Sequence, residues 1–234
     1  MKIAIMQPYI FPYIGYYQLM ESVDKFIIYD DINYINKGWI DRNRVLIHGK
    51  PQLFKLPLSK KSQNKTIAEH ELAVSYIGWA YKLLKTLRQN YAKSPNYSIA
   101  MPLITDILTF KTTSLSQLLR YSLEQIAALL EIKCLVTTSS TAVYGNNDKS
   151  GEARIIDICQ QEGANQYINL SGGKHLYDKN NFRKKGIQLS FLDSQQRPYQ
   201  QNAAEFVPSL SMIDVLMNNP VSEIKRLVRG FELS

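Results

Sequence analysis

The sequence has few of the residues that most metal sites and hydrolases need. Its 234 residues include two cysteines, Cys134 and Cys159, and three histidines. The cysteines lie far apart in apolar stretches, so they predict neither a disulfide framework nor a CxxC metal clip and favour a reducing compartment. The chain contains no GxGxxG fingerprint, no GxxxxGK[ST] loop and no Ser/His/Asp or Cys/His order. The sequence therefore predicts no metal centre. It also predicts neither a glycine-rich nucleotide-binding loop of these types nor a Ser/His/Asp or Cys/His catalytic set.

Long apolar runs are absent as well. No segment approaches the roughly 18 to 20 apolar residues that span a bilayer, and residues 1–8 contain too few apolar residues for a signal peptide. We therefore expect a cytoplasmic protein without a transmembrane segment. The composition, 45% apolar and 21% charged, is globular. We treat residues 1–234 as a single domain, with a helical subdomain expected at residues 76–131.

Acidic residues are scarce in one part of the chain. Lysine and arginine number 28 against 20 aspartate and glutamate, and residues 37–65 contain eight of the former but only one of the latter, Asp41. Such a segment attracts polyanions, which include nucleic acid, anionic lipid head groups and nucleotide phosphates. Nucleic acid is the least favoured partner because no reader motif is present, whereas peripheral membrane contact is compatible with the pattern. A solvated surface hairpin is the simpler alternative.

Strand and helix signals alternate at both ends of the chain. Residues 2–6 are typical of a short buried strand, the prolines at 8 and 12 require an extended loop, and residues 13–22 have helical spacing before a strand at 26–29. Later strands are predicted at 134–138, 166–170 and 187–192, and later helices at 151–161 and 179–184. This order predicts an α/β fold with a Rossmann-like parallel sheet, in the layout of nucleotidyltransferases.

Two features interrupt that alternation. Apolar runs at 44–48 and 52–58 flank Gly49-Lys50-Pro51 and predict a β-hairpin insertion. The middle of the chain is predicted to be helical, and so is the region from Ser211 to Val228. The middle helices are expected at 78–91, 101–110 and 115–131, the last with Ser114 as its N-cap.

The loop after the first strand is rich in aromatic residues. Residues 6–17 contain four tyrosines, two prolines and one glycine. Ligands of open α/β sheets bind at the carboxyl ends of the strands, where a helix N terminus offers free N–H groups. We therefore expect this loop to line a pocket, although filling a corner of the core is the alternative. The candidate wall residues are Gln7, Pro8, Tyr9, Tyr13 and Tyr16.

Tyr13-Ile14-Gly15-Tyr16 occupies the place of the His-x-Gly-His loop in adenylyl- and cytidylyl-transferring enzymes. The layout resembles that superfamily, but both histidines are replaced by tyrosine. A phenol with a pKa of about 10 can donate a hydrogen bond to a phosphate but cannot supply imidazolium charge. Tyr13 and Tyr16 are catalytic candidates on this interpretation, and ATP with Mg²⁺ is the cofactor that it would imply.

Asp30 and Asp31 follow the second predicted strand and are the other catalytic candidates. A carboxylate at a strand end can accept a proton from an amine, hold a ribose hydroxyl or bind Mg²⁺. Because neighbouring strand residues point to opposite sides, only one of the two is expected to face a site.

Further candidates for substrate binding follow in the basic segment. Arg42 and Arg44 would share a face of an extended chain and could grip a diphosphate, and Trp39 offers a stacking surface. Surface salt bridges are the alternative for the arginines. Tyr34 and Asn43 complete this group.

Two later loops could hold anions. Ser171, Gly172, Gly173 and Lys174 follow a predicted strand and could form an N–H-rich phosphate site, with Tyr177 just beyond them; a tight turn with two positive φ angles is the alternative. Residues 146–152 precede a predicted helix and could hold an anion beside Lys149, with simple capping as the alternative.

Together these motifs resemble the WbqC-like protein family. The matching segments are residues 6–17, Val23-Asp24-Lys25-Phe26, Tyr29-Asp30-Asp31, Gly38-Trp39-Ile40, Arg42-Asn43-Arg44, Tyr167-Ile168-Asn169, Gly172-Gly173, Leu176-Tyr177-Asp178 and residues 210–216. The resemblance covers essentially the whole chain. Members of the family lie among genes for O-antigen and other surface polysaccharides of the lipopolysaccharide type, and the family has been suggested to include a glycine transferase that acylates an amino sugar.

The resemblance implies a cytoplasmic transferase that moves an aminoacyl group, glycyl in the suggested example, to the amine of a nucleotide-linked amino sugar. Its partners would be that nucleotide sugar and an amino-acid or acyl donor, and nothing in the sequence identifies how the acyl group is activated. Two alternatives stay open. One is an ATP-dependent nucleotidyltransferase or ligase with a degenerate His-x-Gly-His loop, and the other is a non-catalytic nucleic-acid-binding module.

Overall fold

The computed structural model describes residues 1–195 and 197–234. The strands are β1 (Lys2–Met6), β2 (Lys25–Ile28), β3 (Arg42–Ile47), β4 (Lys50–Lys55), β5 (Leu135–Thr138), β6 (Gln166–Leu170), β7 (Gln188–Ser194) and β8 (Phe231–Leu233). The helices are α1 (Ile14–Glu21), α2 (Tyr76–Tyr91), α3 (Tyr97–Leu108), α4 (Leu115–Leu130), α5 (Ser139–Ala142), α6 (Gly151–Gln161), α7 (Lys179–Lys184), α8 (Met212–Asn218) and α9 (Val221–Val228). A 3-10 helix spans Ser171–Leu176. None of the helices in the described ranges is long and apolar enough to cross a membrane.

A six-stranded sheet of order β5-β2-β1-β6-β7-β8 confirms the predicted α/β fold. Five of its strands are parallel, and β8 alone pairs in the antiparallel direction, with β7. The predicted hairpin insertion is also confirmed, since β3 and β4 form a separate two-stranded antiparallel sheet.

The two faces of the large sheet bury different sets of apolar side chains. Ala4 and Phe26 pack in one core together with α1, α4 and α9, whereas Ile3, Ile5 and Ile27 pack in a second core with α6 and α7. The chain therefore crosses from β1 to β2 over one face and from β5 to β6 over the other. The winding reverses between β1 and β6, which is where open α/β sheets form a crevice at the carboxyl ends of their strands.

The middle helices agree with the sequence pattern apart from the start of α3. Ser114 caps α4 as predicted, because its side chain accepts a hydrogen bond from the N–H of Gln117. Helix α3 begins at Tyr97, four residues earlier than expected, and includes Pro102. The Pro102 side chain is exposed, and the buried Ala100 and Ile104 on the same helix pack in the core. Apolar burial thus outweighs the one backbone hydrogen bond that proline cannot make.

Helix α8 brings a carboxylate into this core. Ser211 caps the helix, since its side chain accepts from the N–H of Ile213. Asp214 is completely buried, and its two carboxylate oxygens each accept a hydrogen bond of 2.7 Å, one from Tyr91 and the other from Tyr199. These contacts give both Ser211 and Asp214 a structural role.

The buried Asp214 predicts a specific pH dependence. Desolvation by burial raises the pKa of this carboxyl above its ordinary value, although the tyrosine hydrogen bonds act in the opposite direction. The folded protein then binds the proton more tightly than the unfolded chain does. Ionisation therefore costs stability as the pH rises from about 4, the unfolded value, towards the raised pKa.

Asp214→Asn removes this titration. The free energy of unfolding is measured for both proteins with urea over a series of pH values. As the pH rises through this range, the difference between the variant and the wild-type protein should change in favour of the variant. A difference that is constant, or that changes in the opposite direction, would contradict this assignment.

Candidate functional site

A cleft lies at the carboxyl ends of β1, β2 and β6, where the winding of the sheet reverses. It has two adjoining parts of about 620 and 470 Å³. The side chains of Tyr29, Ile32, Ile155 and Tyr177 line both parts. The larger part is called the polar part below, because it contains Asp31, Lys149 and Arg154, and the smaller is called the apolar part.

The polar part of the cleft contains an ion pair between Asp31, which follows β2, and Arg154 of α6. A guanidinium Nη of Arg154 lies 2.6 Å from Oδ2 of Asp31, and the two side chains are 7% and 21% exposed. Further hydrogen bonds from Arg154 reach Asn146 and Asn147, and its guanidinium carbon lies 5.1 Å from the ring centre of Tyr29. These contacts hold a positive and a negative group rigidly at one edge of the cleft.

The first residues of α6 line the same part of the cleft. Ser150 and Gly151 lie there, and the Ser150 side chain makes no capping hydrogen bond. The first N–H groups of a helix carry partial positive charge and lack partners within the helix. Lys149 and Arg154 lie close by and already pair with Asp157 and Asp31, so the unpaired N–H groups are what suit this end of the cleft to an anion. Anion binding is one of the two roles expected for residues 146–152, and Asn147, Lys149, Ser150 and Gly151 of this segment line the cleft.

Asp30 and Asp31 have different surroundings, as their adjacent positions predicted. Asp31 lines the cleft, whereas Asp30 is 1% exposed. The carboxylate of Asp30 accepts hydrogen bonds from the hydroxyls of Ser116 and Ser140 and from the N–H of Ser140, whereas the Ser139 hydroxyl lies closer to Asp31 (2.5 Å) than to Asp30 (3.3 Å). Asp30 thus ties β2 to α4 and α5 and is enclosed by protein.

The two carboxylates do not form an open oxygen site of the kind that Mg²⁺ needs. Hydroxyl and N–H groups occupy the oxygens of Asp30, and Arg154 neutralises Asp31. Within residues 1–195 and 197–234, no group of three or more His, Cys, Asp or Glu side chains is arranged to hold a metal ion. The Mg²⁺ role considered for these aspartates therefore does not fit their geometry.

The apolar part of the cleft combines apolar walls with a few unsatisfied polar atoms. Gln7 and Tyr13 line it from the loop after β1, and Asn169, Ser171, Gly172 and Gly173 line it from β6 and the 3-10 helix. Nε2 of Gln7 and Oγ of Ser194 are inaccessible and find no hydrogen-bond partner in the described part of the chain. Buried polar atoms of this kind are rare in proteins, so both are suited to contacts with a ligand.

The aromatic loop only partly forms the wall that the sequence predicted. Tyr13 lines the cleft, and its backbone N–H donates to the hydroxyl of Tyr9 (3.1 Å). Tyr9 and the buried Pro8 lie behind this surface, and neither lines the cleft.

Tyr16 corrects the expectation most strongly. It is 1% exposed in the core, and its hydroxyl donates to the carbonyl of Gln7 (3.3 Å). Burial raises the pKa of this phenol well above its ordinary value, so the side chain stays neutral. Helical spacing explains its position, because Tyr16 and Met20 lie on the same buried side of α1. Tyr16 is therefore a support for the Gln7 backbone.

Five candidates in and near the hairpin lie outside the cleft. Trp39, Arg42 and Arg44 form a separate cluster in which both guanidinium carbons lie within 5.7 Å of the Trp39 ring centre. Asn43 is 2% exposed and donates to two carbonyls of the aromatic loop. Tyr34 is also buried, with its ring against His70. The stacking surface of Trp39 is therefore not part of the cleft between β1 and β6.

Neither the phosphate site nor the tight turn considered for the glycine pair after β6 describes it completely. Gly172 and Gly173 lie in the 3-10 helix, and their φ angles are not positive, so the tight-turn alternative is wrong. Both glycines, Ser171 and Tyr177 line the cleft. The Lys174 ammonium instead lies 3.5 Å from a carboxylate oxygen of Asp193, outside the cleft lining.

Sequence reasoning missed Arg154 and Ser194 as cleft residues, and it named Asn169 only as part of the segment Tyr167-Ile168-Asn169. Arg154 occupies a buried position of α6 on the same stripe as Ile155 and Ile158. A charged residue within an apolar stripe was the available signal, because burying an unpaired charge is unfavourable. Asn169 and Ser194 could not be found in this way, since only the order of the strands brings them to Gln7.

Comparisons with known proteins agree with the resemblance in the sequence. The model of the WbqC-like protein family matches residues 7–226. "Uncharacterized protein Rv1507c" of Mycobacterium tuberculosis (strain ATCC 25618 / H37Rv) is 30% identical over 220 residues, which cover 93% of each chain. No solved structure matches the chain.

Proposed function

The chain belongs to the WbqC-like protein family, and from this premise we propose that it is a transferase that adds an aminoacyl group to the amine of a nucleotide-linked amino sugar. The observation that carries the proposal is the cleft between β1 and β6, in which a carboxylate, a buried arginine and a helix N terminus meet. Such a substrate has an anionic diphosphate, a sugar ring and one basic nitrogen, and the cleft offers a partner for each.

The two parts of the cleft bind different chemical groups. The diphosphate lies at the start of α6, where free backbone N–H groups and the remaining donors of Lys149 and Arg154, which also hold Asp157 and Asp31, bind it. The sugar ring lies against Tyr29 and Tyr177, at the boundary of the two parts. The acyl donor occupies the apolar part beside Gln7 and Tyr13.

The reaction forms one amide bond. The neutral amine attacks the acyl carbon of an activated amino acid, which is an acyl phosphate or an acyl adenylate made from ATP, and phosphate or AMP leaves with the electron pair of the broken bond. Asp31 accepts the proton that the amine loses. Nε2 of Gln7, which finds no partner in the described ranges, donates to the developing oxyanion.

Mass spectrometry of a complete reaction tests the proposal. The purified protein is incubated with glycine, ATP and a dTDP- or UDP-linked amino sugar. The expected product is the nucleotide sugar with one added glycyl residue, accompanied by ADP or AMP. Turnover of ATP into pyrophosphate and a nucleotidylated sugar would show a nucleotidyltransferase instead, and an unchanged sugar with every amino acid offered would reject aminoacyl transfer.

Gly15→Ala tests the role of Tyr13 at the cleft. A Cβ atom at position 15 would lie 2.4 Å from Cε2 of the Tyr13 ring, so the ring must move. The affinity for the nucleotide-linked amino sugar should fall by roughly threefold to tenfold, while the free energy of unfolding changes by less than about 1 kcal/mol. Calorimetric titration and thermal unfolding measure the two effects.

Gly78→Ala is the matched control for this variant. Gly78 also lies in a helix, but no atom comes within 4 Å of its added Cβ. The control should leave affinity unchanged. A Gly15→Ala protein that binds as tightly as the control would show that the Tyr13 ring does not contact the ligand.

A further inference from the structure

The outer face of the β3–β4 hairpin carries exposed apolar and basic side chains together. Trp39 is 46% exposed and Leu53 is 53% exposed. Arg44 pairs directly with Leu53, and Arg42 pairs with Lys55. Since residues i and i+2 of a strand lie on one face, these four strand residues share that face. Together with Trp39, whose ring contacts both arginines, they are called the hairpin face below.

The opposite side of the hairpin is fixed to the protein. Asn43 and Phe54, which pair across the two strands, are 2% and 7% exposed. The Asn43 amide donates to the carbonyls of Ile10 (3.0 Å) and Phe11 (2.6 Å). The hairpin face is therefore held in place and directed towards solvent.

The positive charge around the hairpin face is almost uncompensated. Residues 37–65 contain eight lysines and arginines and one acid, Asp41. In the described part of the chain, Lys61 is the one member of this set with a carboxylate partner, which is Asp41. The lysines of this segment, Lys37, Lys50, Lys55, Lys60, Lys61 and Lys65, are all exposed, and Lys37 and Lys55 lie at the face itself.

We propose that the hairpin face docks the protein onto the surface of an anionic lipid bilayer. Tryptophan favours the level of the lipid head groups, and clustered lysines are attracted to anionic lipids. Exposed Leu53 and Ile35, which is 54% exposed beside Gly38, offer aliphatic surface to the acyl region. Single-stranded nucleic acid is less suited to this face, because such binding surfaces stack successive bases on several aromatic side chains, and only Trp39 is available. The proposal does not depend on the proposed transferase activity.

Sedimentation with vesicles tests this surface. The full chain should sediment with vesicles of phosphatidylcholine and phosphatidylglycerol, remain in solution with phosphatidylcholine alone, and be released by added salt. Lys37→Gln/Lys55→Gln should weaken binding by roughly 20-fold, because Lys37 is exposed and bonded through its carbonyl to Arg42 of the face, and each cation near an anionic surface contributes about fivefold. Lys184→Gln/Lys185→Gln removes the same charge at the end of α7 and should change binding by less than about twofold.

Tryptophan fluorescence provides a second readout. The emission should shift to shorter wavelength when phosphatidylglycerol vesicles are added, and Trp39→Phe, which retains Trp79, should abolish the shift. An Asp31→Asn protein should dock normally. The proposal is overturned by failure to sediment, by equal losses in the two lysine pairs, by displacement with inorganic phosphate at constant ionic strength, or by tighter binding to a single-stranded oligonucleotide than to the vesicles.

Discussion

Asp31→Asn is expected to lower the rate of aminoacyl transfer at least about 100-fold, with little change in the affinity for the nucleotide-linked amino sugar. The variant removes the proton acceptor but keeps an oxygen for the guanidinium of Arg154, which lies 2.6 Å from Oδ2 in the wild-type protein. The diphosphate contacts at the start of α6 are left in place. Steady-state kinetics of glycyl transfer and calorimetric titration separate the two effects.

Asp106→Asn is the control for this experiment. Asp106 is an exposed carboxylate on α3 that accepts a hydrogen bond from Tyr121. In the sequence, Asp106 lies far from every residue that lines the cleft. It should retain wild-type turnover. If Asp31→Asn lost affinity in proportion to its rate, Asp31 would be a binding residue, and if it retained full turnover, Asp31 would not be the base.

Asp30→Ala is expected to have the largest effect on stability. The substitution removes the shared acceptor of the Ser116 hydroxyl and of the hydroxyl and N–H of Ser140, in a position that is 1% exposed. Leaving several buried donors unsatisfied should destabilise the fold by roughly 3 kcal/mol. For a chain of this length the melting temperature should then fall by roughly 6 to 12 °C. Urea and thermal unfolding measure this loss.

The neighbouring Asp31→Ala variant provides the comparison. Asp31 lies at the cleft, and its side chain is 21% exposed, so water can replace part of what is lost. Arg154, 7% exposed, loses its carboxylate but keeps its hydrogen bonds to Asn146 and Asn147, so we expect a cost of roughly 2 kcal/mol, below that of Asp30→Ala. Equal losses in the two variants would show that the distinction between a structural Asp30 and a cleft-facing Asp31 is incorrect.

Local patterns were sufficient to predict the elements that carry the cleft. The consecutive apolar residues of β1 and the two prolines after it correctly predicted that the aromatic loop begins at the end of a strand. Apolar runs around Gly49 predicted the hairpin, and Ser114 marked the start of α4. Strand β8 was missed because its three residues are too few to show a period, and it is defined by pairing with β7.

The composition of the cleft could be predicted only in part. Gln7, Tyr13 and Asp31 were identified because they follow the first two strands. Their partners come from β6, β7 and α6, which are more than 100 residues away, so strand order and helix orientation decide which of them meet. Tyr16 and Trp39 are the opposite case. Both have suitable side chains and lie close in sequence to cleft residues, but neither side chain lines the cleft.

Calorimetric titration with a dTDP- or UDP-linked amino sugar tests the central claim most directly. The wild-type protein should bind one nucleotide sugar per chain, and Arg154→Met should bind it at least about 10-fold more weakly, because charge-assisted hydrogen bonds to the diphosphate are lost. Arg120→Met, which breaks the exposed helical ion pair with Glu124, should bind like the wild-type protein. Absence of binding to the wild-type protein, or equal affinity in Arg154→Met and Arg120→Met, would contradict a nucleotide-sugar site between β1 and β6.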